Sequence, residues 1–230
     1  MRRIISSFLV LSLVFALQSC SSVKVLGAWK GDQESVAKFK EKNILVIART
    51  SDNQARIAFE EAIASRLRAK GIKATESFSR VPVIHPEYEM TEERMNLIRT
   101  ILDNEGYNGV VITVVKDKQQ HTETTTSGVY VGASYGNYYP GYYGGFYNYY
   151  SHPYAYGSYY NSFGGYIPTS SSTRTVSNYV LETVAYNLDS TGEDQIVAVV
   201  TTNLDDPKNA YKTASKYVDE MMKHLDIPKD

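Results

Sequence analysis

The sequence predicts an α/β fold: a mixed sheet with a mainly parallel βαβαβ core, a Tyr/Gly-rich excursion, then an antiparallel ββ pair and a C-terminal helix. Three observations predict it. Ile44–Ala48 and Val110–Val115 are continuous apolar runs, the pattern of strands covered on both faces. Apolar residues recur at helical spacing twice between those runs. Two further strand patterns, joined by a short turn, precede one last amphipathic helix.

Taken in order, Ile44-Leu45-Val46-Ile47-Ala48 is the first core strand. Ser51 and Gln54 have capping-box spacing for a helix start, and Ala55, Ala58, Phe59, Ala62, Ile63 and Leu67 form its inner stripe. Gly71 offers a left-handed stop, and Ile72 to Ser77 is the second strand. A loop through Pro82, His85 and Pro86 leads to Thr91, an N-cap followed by Glu92 and Glu93 at the positive helix end. Met90 and Met95 have the spacing of a hydrophobic staple. Met95, Ile98, Ile101 and Leu102 are that helix's buried stripe, and Gly106 ends it. The strand at 110–115 follows and belongs near the sheet centre, because two consecutive crossovers imply parallel neighbours.

The character then changes. No Asp, Glu, Lys or Arg occurs from Thr124 to Thr173, and residues 135–166 hold 13 Tyr and 7 Gly. Such a segment reads as a low-complexity insertion at 124–173, on which the domain core is not expected to depend. Thr122 to Tyr135 and Thr169 to Tyr179 are expected as the arms of a long hairpin. Tyr179 to Leu188 and Gln195 to Thr202 form the antiparallel pair, joined by Asp189-Ser190-Thr191-Gly192. Asp206 is expected to cap the last helix with Pro207 at its first position. Its apolar face is Ala210, Ala214, Tyr217, Val218, Met221, Met222 and Leu225.

The first residues carry the most specific signal. Arg2 and Arg3 precede an apolar run from Ile4 to Leu17, too short to span a bilayer. Leu17-Gln18-Ser19-Cys20 resembles a lipobox. Residues 1–19 are therefore expected to be a signal peptide, and Cys20 the site of lipid attachment. Residues 20–42 are expected to be a solvated, lipidated tether, and 43–230 the α/β domain. Trp29 belongs at the domain edge or near the membrane interface. Ser21, rather than Asp, follows Cys20, which resembles the sorting pattern for the outer membrane. The expected location is that membrane's periplasmic face, with palmitate among the acyl chains.

Composition excludes several functions. Loss of Arg2 and Arg3 with the leader moves the formal charge from -1 to -3, which leaves no electrostatic footprint for nucleic acid. Cys20 is the only cysteine, so neither a disulfide within the chain nor a multi-cysteine metal site can form. His85, His121, His152 and His224 fit no metal-ligand spacing. No P-loop, nucleophile elbow or HExxH motif occurs, and no cofactor, catalytic residue or metal ligand is indicated.

Ile44-Leu45-Val46-Ile47, Arg56-x-x-Phe59-Glu60, Gly71-Ile72-Lys73-Ala74 and Ser77-Phe78 are similar to bacterial outer-membrane lipoproteins of a family of unknown function. Several relatives carry a Gly/Tyr-rich insertion before the last strands. The architecture resembles the amino-terminal domain of TolB and the curli-secretion lipoprotein, over residues 43–226. Arg56 and Glu60 match the pattern one helical turn apart. They are expected as a helix-surface ion pair, or as a contact where the first helix meets a neighbour.

Two surfaces stand out. Arg49, Asp52, Arg80 and Lys116, with Ser51, Ser77, Ser79, Asp117 and Lys118, lie at strand ends where open α/β sheets bind ligands. They define a candidate polar cleft, against the plainer reading of solvated loops. Tyr138, Tyr139, Tyr142, Tyr143, Tyr147, Tyr149 and Tyr150 define a candidate interaction surface, since tyrosine joins an apolar face to a polar tip. Its expected partners are peptidoglycan, the membrane, another envelope protein or a second copy. The functional expectation is a non-enzymatic, lipid-anchored binding or assembly protein. A subunit of a secretion or pore-type oligomer is the alternative, and an enzyme with an unrecognised site the second. The pore reading is weakened because Val129, Val131, Ala133 and Tyr135 alternate only briefly, opposite Pro168 and a serine run.

Overall fold

The computed structural model describes residues 22–81, 91–124, 129–130, 145–147, 166–167 and 173–225. Val23–Lys30 forms β1, Gln33–Lys40 α1, Asn43–Arg49 β2, Asn53–Arg68 α2, Lys73–Glu76 β3, Glu92–Asn104 α3 and Gly109–Thr124 β4. Val129–Tyr130 (β5) and Tyr166–Ile167 (β6) pair with each other. Thr173–Asn187 is β7, Ile196–Asp205 β8 and Ala210–His224 α4. Six strands form one mixed sheet in the order β1-β8-β7-β4-β2-β3. β2 is parallel to β3 and β4, whereas β4–β7, β7–β8 and β8–β1 are antiparallel. The expected mixed α/β fold is the one observed, with the strand at 110–115 inside the sheet.

Both faces of the sheet are covered, which explains the continuous apolar runs. On one face Val46, Val111, Leu181 and Val200 meet Phe59 and Ile63 of α2 and Tyr217 and Met221 of α4. The Phe59 and Tyr217 rings lie 5.2 Å apart. On the other face Leu45, Ile47, Ile112, Val184 and Val199 meet Met95, Ile98 and Leu102 of α3. Gly71 and Gly106 take φ of +74° and +67°, the left-handed stops expected of them.

The lead-in is structured, contrary to the expected tether. β1 is the edge strand on β8, with Val23 buried. Asp32 caps α1 by accepting from Ser35 N at 2.7 Å, and α1 buries Phe39. Lys24 is exposed and Lys30 Nζ donates to Leu225 O at 2.9 Å, and the two lysines hide the strand in a charge count. A bulge between Val25 and Gly27 reverses the alternation. Val23 and Val25 therefore join the α2–α4 side, and half-buried Trp29 packs against the α3 side.

Two helix starts differ from expectation. Asp52, not Ser51, caps α2, accepting from Gln54 N and Ala55 N at 2.9 and 3.0 Å. Asn209, not Asp206, caps α4, accepting from Lys212 N at 2.9 Å. Asp206 instead adopts φ of +43° and donates its N–H to Ser177 O, which closes the end of β8. Thr91 caps α3 as expected. Met90 lies outside the described residues.

Of the expected hairpin arms, Thr122–Thr124 and Thr173–Tyr179 fall in β4 and β7, and residues 125–128, 131–135 and 169–172 lie outside the described residues. Their ladder runs from Gly109↔Asn187 to Thr124↔Thr173. The β7–β8 ladder stops at Asn178↔Asp205, so Thr173–Ser177 pair with β4 alone. The insertion also enters the core, which the low-complexity reading did not anticipate. Phe146 is fully buried among the α3-side residues, its ring 5.8 Å from Tyr186. Its N–H donates to Gln195 Oε1 at 3.0 Å. A lone large apolar side chain surrounded by Gly and Tyr has no periodicity to announce it.

Candidate functional site

A cleft of about 220 Å³ opens at the carboxyl end of β2, beside Thr113–Val115 in the middle of β4. Arg49, Thr50, Asp52 and Gln54 border it from β2 and the start of α2, and Lys208 and Thr213 from the start of α4. Leu181, Leu204 and Phe59 supply apolar wall, and Thr113 lies in the floor. The cleft exists there because β2 and β8 both deliver their chain to a helix at this end of the sheet.

The floor continues inward as a chain of hydroxyls. Thr113 Oγ1 and Thr183 Oγ1 are 2.6 Å apart, and Thr183 Oγ1 and the Tyr217 hydroxyl 2.6 Å. Burial pushes the Tyr217 phenol up to about 12, while its hydrogen bond with the Thr183 hydroxyl pulls the other way. The phenol is therefore neutral at physiological pH and serves as a packed hydrogen-bonding group.

Of the four expected cleft residues the structure brings two together. Arg49 and Asp52 border the cleft, but the Asp52 carboxylate is engaged in capping α2. Lys116 is buried beside Glu182 at 3.4 Å, away from the cleft lining. The irregularity between Val115 and Asp117 sets its direction there. Arg80 pairs with Glu105 beyond α3 at 3.7 Å, outside the cleft. Ser77 is buried in a separate network. The described lining has no His, Cys or Glu, so no general acid–base pair is assembled from it. Among the described residues no group of three His, Cys, Asp or Glu is placed to hold a metal.

Arg56 and Glu60 form a densely hydrogen-bonded pair, and it is buried rather than superficial. Glu60 accepts from Arg56 Nε at 3.1 Å, Ala48 N at 3.0 Å, Ser77 Oγ at 2.8 Å and Phe78 N at 2.7 Å. Arg56 Nη2 donates to Ser77 Oγ and Val81 O, each at 3.1 Å. The pair fastens α2 to the end of β2 and to the turn after β3. Buried with these partners, the carboxylate and guanidinium hold structure and are closed to a substrate. The i, i+4 spacing was legible; the burial was not, because it depends on where the turn after β3 lands.

Cys20, Tyr138, Tyr139, Tyr142, Tyr143, Tyr149 and Tyr150 lie outside the described residues. Tyr147 is half-buried, with the Arg99 guanidinium 4.8 Å above its ring. Burial raises its phenol, Asp103 adds to this, and Arg99 opposes it. Tyr147 thus packs against α3 beside Phe146 instead of offering an open face. Among the described residues no helix is long and apolar enough to cross a membrane.

No family model and no curated protein matches the chain. Among solved structures, the PelC dodecamer from Paraburkholderia phytofirmans aligns with 10% identity and a TM-score of 0.41, covering 90% of this chain and 99% of that one. A point variant of the same dodecamer aligns with 10% identity and a TM-score of 0.38, covering 88% and 96%. Likeness at this level carries neither the fold nor a function.

Proposed function

We propose that this chain is a lipid-anchored protein of the bacterial envelope that binds or assembles with other envelope components and does not catalyse. The observation that carries the reading is Leu17-Gln18-Ser19-Cys20 at the end of a charged and then apolar leader. Thioether attachment of a diacylglyceryl group would consume the one thiol in the sequence. Several acyl chains on one residue give stable anchoring, at about 0.8 kcal/mol per buried methylene. Ser21 in the next position supports the outer membrane, periplasmic side. The non-catalytic part of the reading draws on the cleft, whose one lining carboxylate caps a helix.

The test is replacement of Cys20 by Ala in the producing bacterium. The wild type should take up a fatty-acid probe and fractionate with the outer membrane. The variant should be unlabelled, and either uncut or released. Wild-type protein that is soluble and carries no acyl chain would end the reading. Partners follow from cross-linking in intact cells, with peptidoglycan, neighbouring proteins and a second copy as the distinguishable products.

A further inference from the structure

We propose that the β4–β7 hairpin overhang is a second foothold on the bilayer, holding the domain with the carboxyl ends of β2 and β4 toward the lipid. The proposal rests on the lipid-anchor reading and adds an orientation to it.

The orientation follows from how little chain separates the anchor from the sheet. Ser22 O already accepts from Asp205 N at 2.8 Å, and Val23 pairs with Leu204. Only Ser21 lies between Ser22 and Cys20. Two residues reach at most about 7 Å, so Cys20 stays that close to the corner formed by β1 and β8. A lipid on Cys20 leaves no tether on which the domain could swing clear of the membrane.

The hairpin projects from the same end. The level of Asp205 on β8 is the level of Asn178 on β7, where the β7–β8 ladder stops. From there Thr173–Ser177 continue outward with β4. Five residues at strand rise extend about 17 Å, from a position two strand spacings or about 10 Å sideways from β1. The overhang therefore passes the lipid-bearing residue by about 10 Å. The headgroup layer is only about 5–7 Å deep on each side of the bilayer. An upright domain pushes the hairpin into that layer, and a tilted one lays it along the surface. Its content suits headgroups: Gln120, Thr175 and Ser177 provide an amide and hydroxyls. Trp29 lies six residues further along β1 than Val23, about 20 Å from the anchored end.

Trp29 is the only tryptophan, which makes the experiment clean. Gln120→Trp and Thr175→Trp, both at exposed positions, are each placed on a Trp29→Phe background. Should that background fail to fold, each is read as the difference from wild type. Acylated protein is reconstituted into phosphatidylethanolamine–phosphatidylglycerol vesicles doped with a phospholipid brominated high on its acyl chains. In parallel, the chain from Cys20 onward is coupled through its thiol to a maleimide-bearing lipid. Tryptophan emission of the Q120W and T175W variants should be at least halved by the brominated lipid, and that of wild-type Trp29 unchanged. Vesicle-bound protein in which neither added tryptophan is quenched overturns the foothold and leaves the lipid anchor standing. Equal quenching at Trp29 overturns the orientation. Absence of acyl mass on Cys20 in cells, with the coupled protein still quenched at the hairpin, upholds the orientation and removes the anchor reading.

Discussion

Phe146→Ala should unfold the protein far more readily than Tyr147→Ala next to it. Phe146 is fully buried, with ring contacts of 5.1 Å to Tyr147 and 5.8 Å to Tyr186. Emptying such a site costs about 3–5 kcal/mol, the transfer of the ring plus the cavity it leaves. In a domain of this size each kcal/mol moves the thermal midpoint by about 2–4 °C, so the expected drop is roughly 6–20 °C. The internal control is Tyr147→Ala, which removes a half-buried ring and an exposed-type cation–π contact worth about 0.5–1 kcal/mol beyond packing. Both are measured by thermal and urea unfolding of the chain from Ser21 onward, so that lipid does not contribute. Deletion of residues 135–166 should lower the midpoint at least as much as Phe146→Ala, because it removes the same plug. A midpoint unchanged in Phe146→Ala would refute the reasoning and return the whole segment to the status of an appendage.

Other expectations follow from the same structure. Glu60→Gln leaves the Arg56 guanidinium buried without its counter-charge and should cost about 3–5 kcal/mol in urea unfolding; a neutral effect would mean that Arg56 swings out to solvent. Ile112→Ala should cost about 2–5 kcal/mol, and Val111→Ala should also destabilise, because the two residues bury on opposite faces of β4; a loss at only one site would show one face uncovered. Tyr217→Phe should cost about 1 kcal/mol at neutral pH through its bond to Thr183. Folding raises that phenol from 10.0 to about 12, so between those values the native state keeps a proton that the unfolded chain has lost. Wild-type stability should then fall with pH by about 1.4 kcal/mol per unit relative to Tyr217→Phe, and a gap that stays constant across the window would exclude a phenol held protonated by burial.

Local chemistry was legible in the residues themselves. The continuous runs at Ile44 and Val110 announce strands covered on both faces, and Gly71 and Gly106 announce helix ends that need a positive φ. Thr91 announces a cap. These signals are confined to a few neighbouring residues, and so is the physics behind them: pleat, helical period and steric freedom at one Cα. Tertiary structure decided the rest. Asp52 and Asn209 won the caps over Ser51 and Asp206 because the paths of the loops, not the residue types, place an oxygen over the open N–H groups. Arg49 and Asp52 meet at one cleft while Arg80 and Lys116 depart, since Arg80 follows the turn after β3 and Lys116 lies at an irregularity inside β4, which runs on to Thr124. Glu60 is buried because the turn after β3 closes over it, and Phe146 is core because α3 and β7 leave a gap its ring fills. Burial is a property of what arrives from elsewhere in the chain, and a sequence window contains no record of that arrival.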